Sequence, residues 1–169
     1  MSEQTPTFPR AGLFKRISAI VYDLLVVITL ALLVTGLNLL LLNVLISNEL
    51  LILEQGIEPS QFLNQQWWFK LELVFSIWFF YAWFWYDGGQ TIGMRAWRLR
   101  VESDNEEPLT LKRTMLRALY ALFGLGNLFV LFTWKNKQAL QDKLTQTRVV
   151  VLSKDANKEI YLRGVEGRD

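Results

Sequence analysis

Arg16 and Asp23 stand seven residues apart in FKRISAIVYDLLVVITLALL, with no other charged residue between them. On a 3.6-residue helix that spacing is nearly two turns, so the two share a face with about 10 Å between their backbones. Arg16 can snorkel to headgroups, whereas a carboxylate in the apolar run costs roughly 2.5 to 3.5 kcal/mol at the centre of a bilayer. Two uses would justify that cost. Asp23 could carry a proton or a monovalent cation, with Arg16 biasing its charge state, or it could make a fixed polar bond that sets helix packing or an oligomer. Ala19, between them on the same face, leaves room for another segment to approach. Asp142, in ALQDKLTQTRVV, is by itself a surface aspartate. It becomes a partner for Arg16 only if the chain returns to the side where Arg16 sits.

The rest of the composition narrows the chemistry. The 169 residues contain no cysteine and no histidine, which removes disulfides, thiolate nucleophiles, imidazole bases and the commonest zinc ligands. No catalytic spacing, metal cluster or cofactor motif stands out, and an enzyme is not expected. The net charge of +2 is too small to argue for nucleic acid, because membrane orientation explains the basic residues more simply.

These residues must be held by apolar elements. Of the chain, 51% is hydrophobic and 14% aromatic, and the apolar residues fall in blocks at 17–46, 67–86 and 115–134, each long enough to cross about 30 Å of hydrocarbon. The first block is too long for a signal-peptide core and is expected to remain as an anchor. The loop 47–66 carries Glu49, Glu54 and Glu58 but no Lys or Arg, so the positive-inside rule puts it outside. It puts 1–16 and 87–114 in the cytoplasm, which describes a helical hairpin. Asn38 and Asn43, nearer the outer end, are weaker polar signals for bonds across helices or at the interface.

The third block has basic residues on both flanks, with Lys135, Lys137, Lys143 and Arg148 beyond it. Gly124 and Gly126 in FGLGN would weaken a helix there by about 1 kcal/mol each. A re-entrant pair of short helices satisfies these charges, and a plain third span is the alternative. RLRVES (98–103) and TRVVVLS (147–153) read as strands that can pair, with DNEEP as a turn. Such a ribbon requires the chain to return after the third block. The expected fold is therefore an all-α membrane protein with a small cytoplasmic β ribbon, ending in a polar, mobile tail over 153–169.

Nine of the twelve side chains over 75–86 are aromatic. Interfacial belts and packing explain them better than a cage for a cationic ligand. Gly88 and Gly89 begin GGQTIGMRAWRLRV, which lacks the Gly-Lys-Ser/Thr ending of a phosphate loop. Turn chemistry is the better account, with the basic stretch able to lie on the anionic inner leaflet.

Arg16 and Asp23 in GLFKRISAIVYD, then GGQTIGMRAWRLRV, then Asp142 in QDKLTQTRVV together resemble the RDD family of small prokaryotic membrane proteins, over roughly residues 10–152. The family is named for one arginine and two aspartates, which Arg16, Asp23 and Asp142 match. The usual glycine of the closing motif is absent, with Gln146 before Thr147. The resemblance implies a multi-pass protein of the bacterial inner membrane, and a suggested role in transporting ions or small ligands. Transport through Asp23 would need a homo-oligomer or a partner to enclose a pathway. The alternative is a non-transporting adaptor or assembly protein whose polar residues fix helix packing, with lipid and membrane protein as its partners.

Overall fold

The computed structural model describes residues 8–105, 107–133 and 136–165. Glu106 of the expected turn, Trp134 and Lys135 at the end of the third block, residues 1–7 and residues 166–169 lie outside the described residues. The chain forms two compact units, one Leu25–Trp78 and the other the residues before and after it.

Helix α1, Leu13–Ser47, is 35 residues long. It has no proline and a single glycine, Gly36, so nothing in it breaks the hydrogen-bond ladder. At 1.5 Å per residue it reaches about 52 Å, more than the roughly 30 Å of a hydrocarbon core. Among the described residues it is the one helix that alone is long and apolar enough to cross a membrane. Helix α2, Pro59–Gln65, starts on a proline at its first turn, where the missing N–H costs nothing. Helix α3 is Trp67–Asp87. In the unit Leu25–Trp78, Leu42, Leu63 and Phe69 form a small buried cluster. There Asn38 Nδ2 donates to Glu72 Oε2 at 3.0 Å.

The other unit carries the candidate site. A short helix α4, Ile92–Ala96, leads into strand β1, Leu99–Ser103. Helix α5, Leu111–Tyr120, is capped by Thr110, whose hydroxyl accepts from the Arg113 N–H at 3.3 Å. A 3₁₀ helix follows at Leu122–Leu131, then α6, Leu140–Leu144, β2, Thr147–Val151, and α7, Lys154–Val165. Strands β1 and β2 pair antiparallel, Leu99 opposite Val151 and Ser103 opposite Thr147. The chain near its start joins the other edge of β2, where the Ala11 N–H donates to Val149 O and the Val151 N–H to Pro9 O, both at 2.8 Å. Alternation along the strands turns Leu99, Val101 and Val149 inward onto Ala19, Trp85 and Met94.

The third block breaks at its glycines, as a pair of short helices there requires: α5 and Gly124–Leu131 are bent by 72°. Gly124 takes the left-handed φ of +100° at the break, a conformation that favours glycine. A Cβ on Gly126 would stand 2.3 Å from Gln141 Oε1 and 2.9 Å from Tyr120 O, so both glycines are required by the fold. The polar tail is helical over Lys154–Val165. Ser153 Oγ caps it by accepting from the Ala156 N–H at 3.1 Å, and Asn157 Oδ1 accepts from Gln90 Nε2 at 3.0 Å.

Candidate functional site: two buried polar clusters joined by Trp85

Asp142 lies in the first turn of α6 and is fully buried. Its Oδ2 accepts from the Ala139 N–H at 3.0 Å, the backward reach of an acidic residue at the third helical position. The same oxygen takes Arg16 Nη2 at 2.6 Å. Arg117 Nη2 stands 2.7 Å from Oδ1, forming the second ion pair. Burial by itself would raise the Asp142 carboxyl. The guanidiniums of Arg117 and Arg16, with the hydrogen bonds from Arg16 and Ala139, outweigh it and hold the group below the ordinary carboxylate range.

The two arginines use their remaining donors differently. Arg16 Nε donates to Ala11 O at 3.1 Å, Nη2 also to Lys137 O at 3.2 Å, and Nη1 to Asn127 Oδ1 at 3.4 Å. It therefore ties the chain just before α1 to the middle of the third block and to the residues that follow it. Arg117 Nη1 donates to the Thr147 hydroxyl of β2, and its guanidinium carbon lies 4.9 Å from the ring centre of Trp85. That cation–π contact is worth more in a desolvated setting than at a surface.

Asp23 occupies a separate cluster. Its Oδ2 accepts from the Thr91 hydroxyl at 2.6 Å and its Oδ1 from the Gly93 N–H at 2.7 Å. Thr91 Oγ1 also accepts from the Met94 N–H at 3.2 Å. Asp23 on α1 thus completes the N-cap of α4 from outside, satisfying donors that a helix start leaves unpaired. The approach is close: a Cβ on Gly93 would stand 2.1 Å from Ala19 O and 2.9 Å from Asp23 Cγ. Trp85 links the clusters, with its Nε1 donating to Met94 Sδ at 3.3 Å and its face turned to Arg117.

The structure therefore brings Arg16 and Asp142 into contact and gives Asp23 partners of its own. Arg117, Thr91 and Gly93 escaped the sequence reading. Arg117 could have been found by the test that singled out Asp23, since it too is a charged residue inside an apolar block. The model of the RDD family matches residues 10–146. The chain belongs to the RDD family. It is a membrane protein of that family, and the match takes in Arg16, Asp23, Arg117 and Asp142. No curated protein and no solved structure matches the chain. Within this RDD domain Gln146, where the sequence lacks the usual glycine, has φ of +50°. The left-handed backbone explains why glycine suits that position. Here the turn is held by the Asp104 N–H and the Arg113 guanidinium, both donating to Gln146 O.

Proposed function

We propose that this RDD protein is a multi-pass protein of the bacterial inner membrane that serves as a non-transporting adaptor or assembly protein, working as a homo-oligomer or with another membrane protein. The observation that carries this reading is the saturation of Asp23: each carboxylate oxygen has a donor fixed in the chain, and the residue is only 2% exposed. A carboxylate that exchanges ions needs a coordination site that opens to water, and this one is sealed by backbone at Gly93. In this reading α1 and α3 form the hairpin, with the N-terminus in the cytoplasm. The length of α1 is taken up by tilt and by headgroup-level turns, and the bent pair at 111–131 re-enters from the cytoplasmic side.

Asp23→Asn tests the role. The adaptor reading expects reduced thermal stability and loss of detergent-resistant assembly, with the same proton and cation flux in liposomes as wild type and empty vesicles. A variant that kept its assembly while abolishing a wild-type flux would replace this reading with transport. Orientation is tested by impermeant thiol labelling of spheroplasts: Ser60→Cys should react from outside and Lys158→Cys only after lysis. External labelling of Lys158→Cys would exclude the re-entrant arrangement.

A further inference from the structure

A groove on the unit that carries the buried clusters is lined by Arg10, Asn136, Lys137 and Gln138. Its walls come from opposite ends of the domain and are tied together. Arg10 Nη1 donates to Asn136 O at 3.2 Å, and Arg16 beneath donates to both Ala11 O and Lys137 O. Arg10 Nη2 also meets Asp104 Oδ1 at 3.2 Å, so its charge is partly offset. Lys137 is exposed and, among the described residues, makes no ion pair. Four cations, Arg10, Arg16, Arg117 and Lys137, stand against two carboxylates, Asp104 and Asp142, leaving two positive charges at and below the groove.

Position adds to charge. Arg10 is three residues before the apolar helix α1 begins, and Asn136 is five residues after the apolar 3₁₀ helix ends. Phe14 and Phe132, at those two ends, are 75% and 84% exposed. Polar residues flanking two apolar segments belong at headgroup depth, where a phosphodiester carries its charge. Lys137 has φ of +47°, with its N–H donating to Thr133 O at 2.7 Å and its carbonyl held by Arg16. The buried arginine thereby fixes the turn that presents the lysine.

We propose that this groove binds a phosphate-type anion, the headgroup of an anionic phospholipid, through Arg10 and Lys137, with Arg16 as the residue that positions its walls. Native mass spectrometry of the full chain, released from nanodiscs of phosphatidylcholine with phosphatidylglycerol, tests it. Wild type should retain phosphatidylglycerol over phosphatidylcholine. Arg10→Gln should weaken retention about fivefold, as should Lys137→Gly, and the double variant about twenty-five-fold. Lys137→Gly is chosen because glycine accepts the positive φ, so the fold survives the loss of charge. Lys143→Ala, an exposed cation outside the groove, should leave retention unchanged.

If no lipid is retained but inorganic phosphate raises the melting temperature of wild type in detergent and not of the double variant, the same site takes the free anion. Equal lipid retention by wild type and double variant, with no phosphate effect on either, would overturn the proposal. Since Arg10 and Lys137 take no part in holding Asp23, this result is independent of the Asp23→Asn outcome.

Discussion

Arg16 Nη2 lies 2.6 Å from Asp142 Oδ2 although 126 positions separate the two residues in the chain. Asp142 is also the ion-pair partner of the buried Arg117, so one carboxylate compensates two guanidiniums. Asp142→Asn should therefore destabilise the fold by about 3–5 kcal/mol, the usual cost of leaving buried charge unpaired. Thermal and denaturant unfolding in mild detergent will measure it. Asp155→Asn, on the exposed first turn of α7, should stay within about 0.5 kcal/mol of wild type.

The pH dependence of that pair has a definite sign. The carboxyl of Asp142 titrates below its ordinary 3.8, so its stabilising contribution is complete above that pH and is lost as pH falls through the lower folded value. The difference in melting temperature between wild type and Asp142→Asn should be constant from neutral pH down to about 4 and narrow below it. A difference that narrowed between pH 7 and 5 would show that the carboxyl is not held ionised by the arginines.

Gly93→Ala should cost about 1–3 kcal/mol, because its methyl would meet Ala19 O at 2.1 Å and the backbone of α1 has to yield. Gly12, where a Cβ meets nothing within 4 Å, supplies the matched control. If the two alanine variants unfold at the same temperature, α4 does not pack on α1 at Gly93.

Asp23 and Thr91 should behave as a coupled pair. In a double-mutant cycle with Asp23→Asn and Thr91→Val, the interaction energy is expected to be about 0.5–3 kcal/mol. Strict additivity would mean that the 2.6 Å bond is not made in the folded protein.

Gln146→Gly should leave stability unchanged or raise it by up to about 1 kcal/mol, since removing a left-handed strain of roughly 1–2 kcal/mol competes with the greater chain entropy of glycine. Gln146→Val, β-branched in that conformation, should be clearly destabilising by the same unfolding assay. Destabilisation by glycine would show that the Gln146 side chain, and not its backbone carbonyl, holds the turn.

The parts of this structure legible from sequence were those that depend on period and composition. The apolar block at 17–46 became α1 and the block at 67–86 became α3, within a few residues at each end. The ribbon followed from two β-branched runs whose pairing demanded a returning chain. Arg16 and Asp142 were legible as possible partners because charge arithmetic returned both to one side. Arg117 carried one signal, a charge inside the apolar block 115–134, but its place close behind Lys112 and Arg113 made it look like the end of a basic amphipathic stretch. Gly93 carried no signal, because a close approach to Ala19 is a tertiary fact with no local signature. The bend in the third block was foreshadowed by Gly124 and Gly126, though the reasons are tertiary: a left-handed φ at Gly124, and Gln141 and Tyr120 against Gly126.

The ribbon and the clamp around Arg16 also set an order of events during synthesis. Pro9 and Ala11 pair with β2, and Arg16 pairs with Asp142, so the start of the chain finds its partners only when the last third has been made. At 5–20 residues per second, 126 residues take on the order of ten seconds. Throughout that interval the guanidinium of Arg16 lacks the carboxylate that pairs with it in the folded chain. The first apolar helix can thus enter the insertion machinery early, while its charged end is locked last. A ribosome stalled before residue 142 would leave α1 made but its charged head not yet closed.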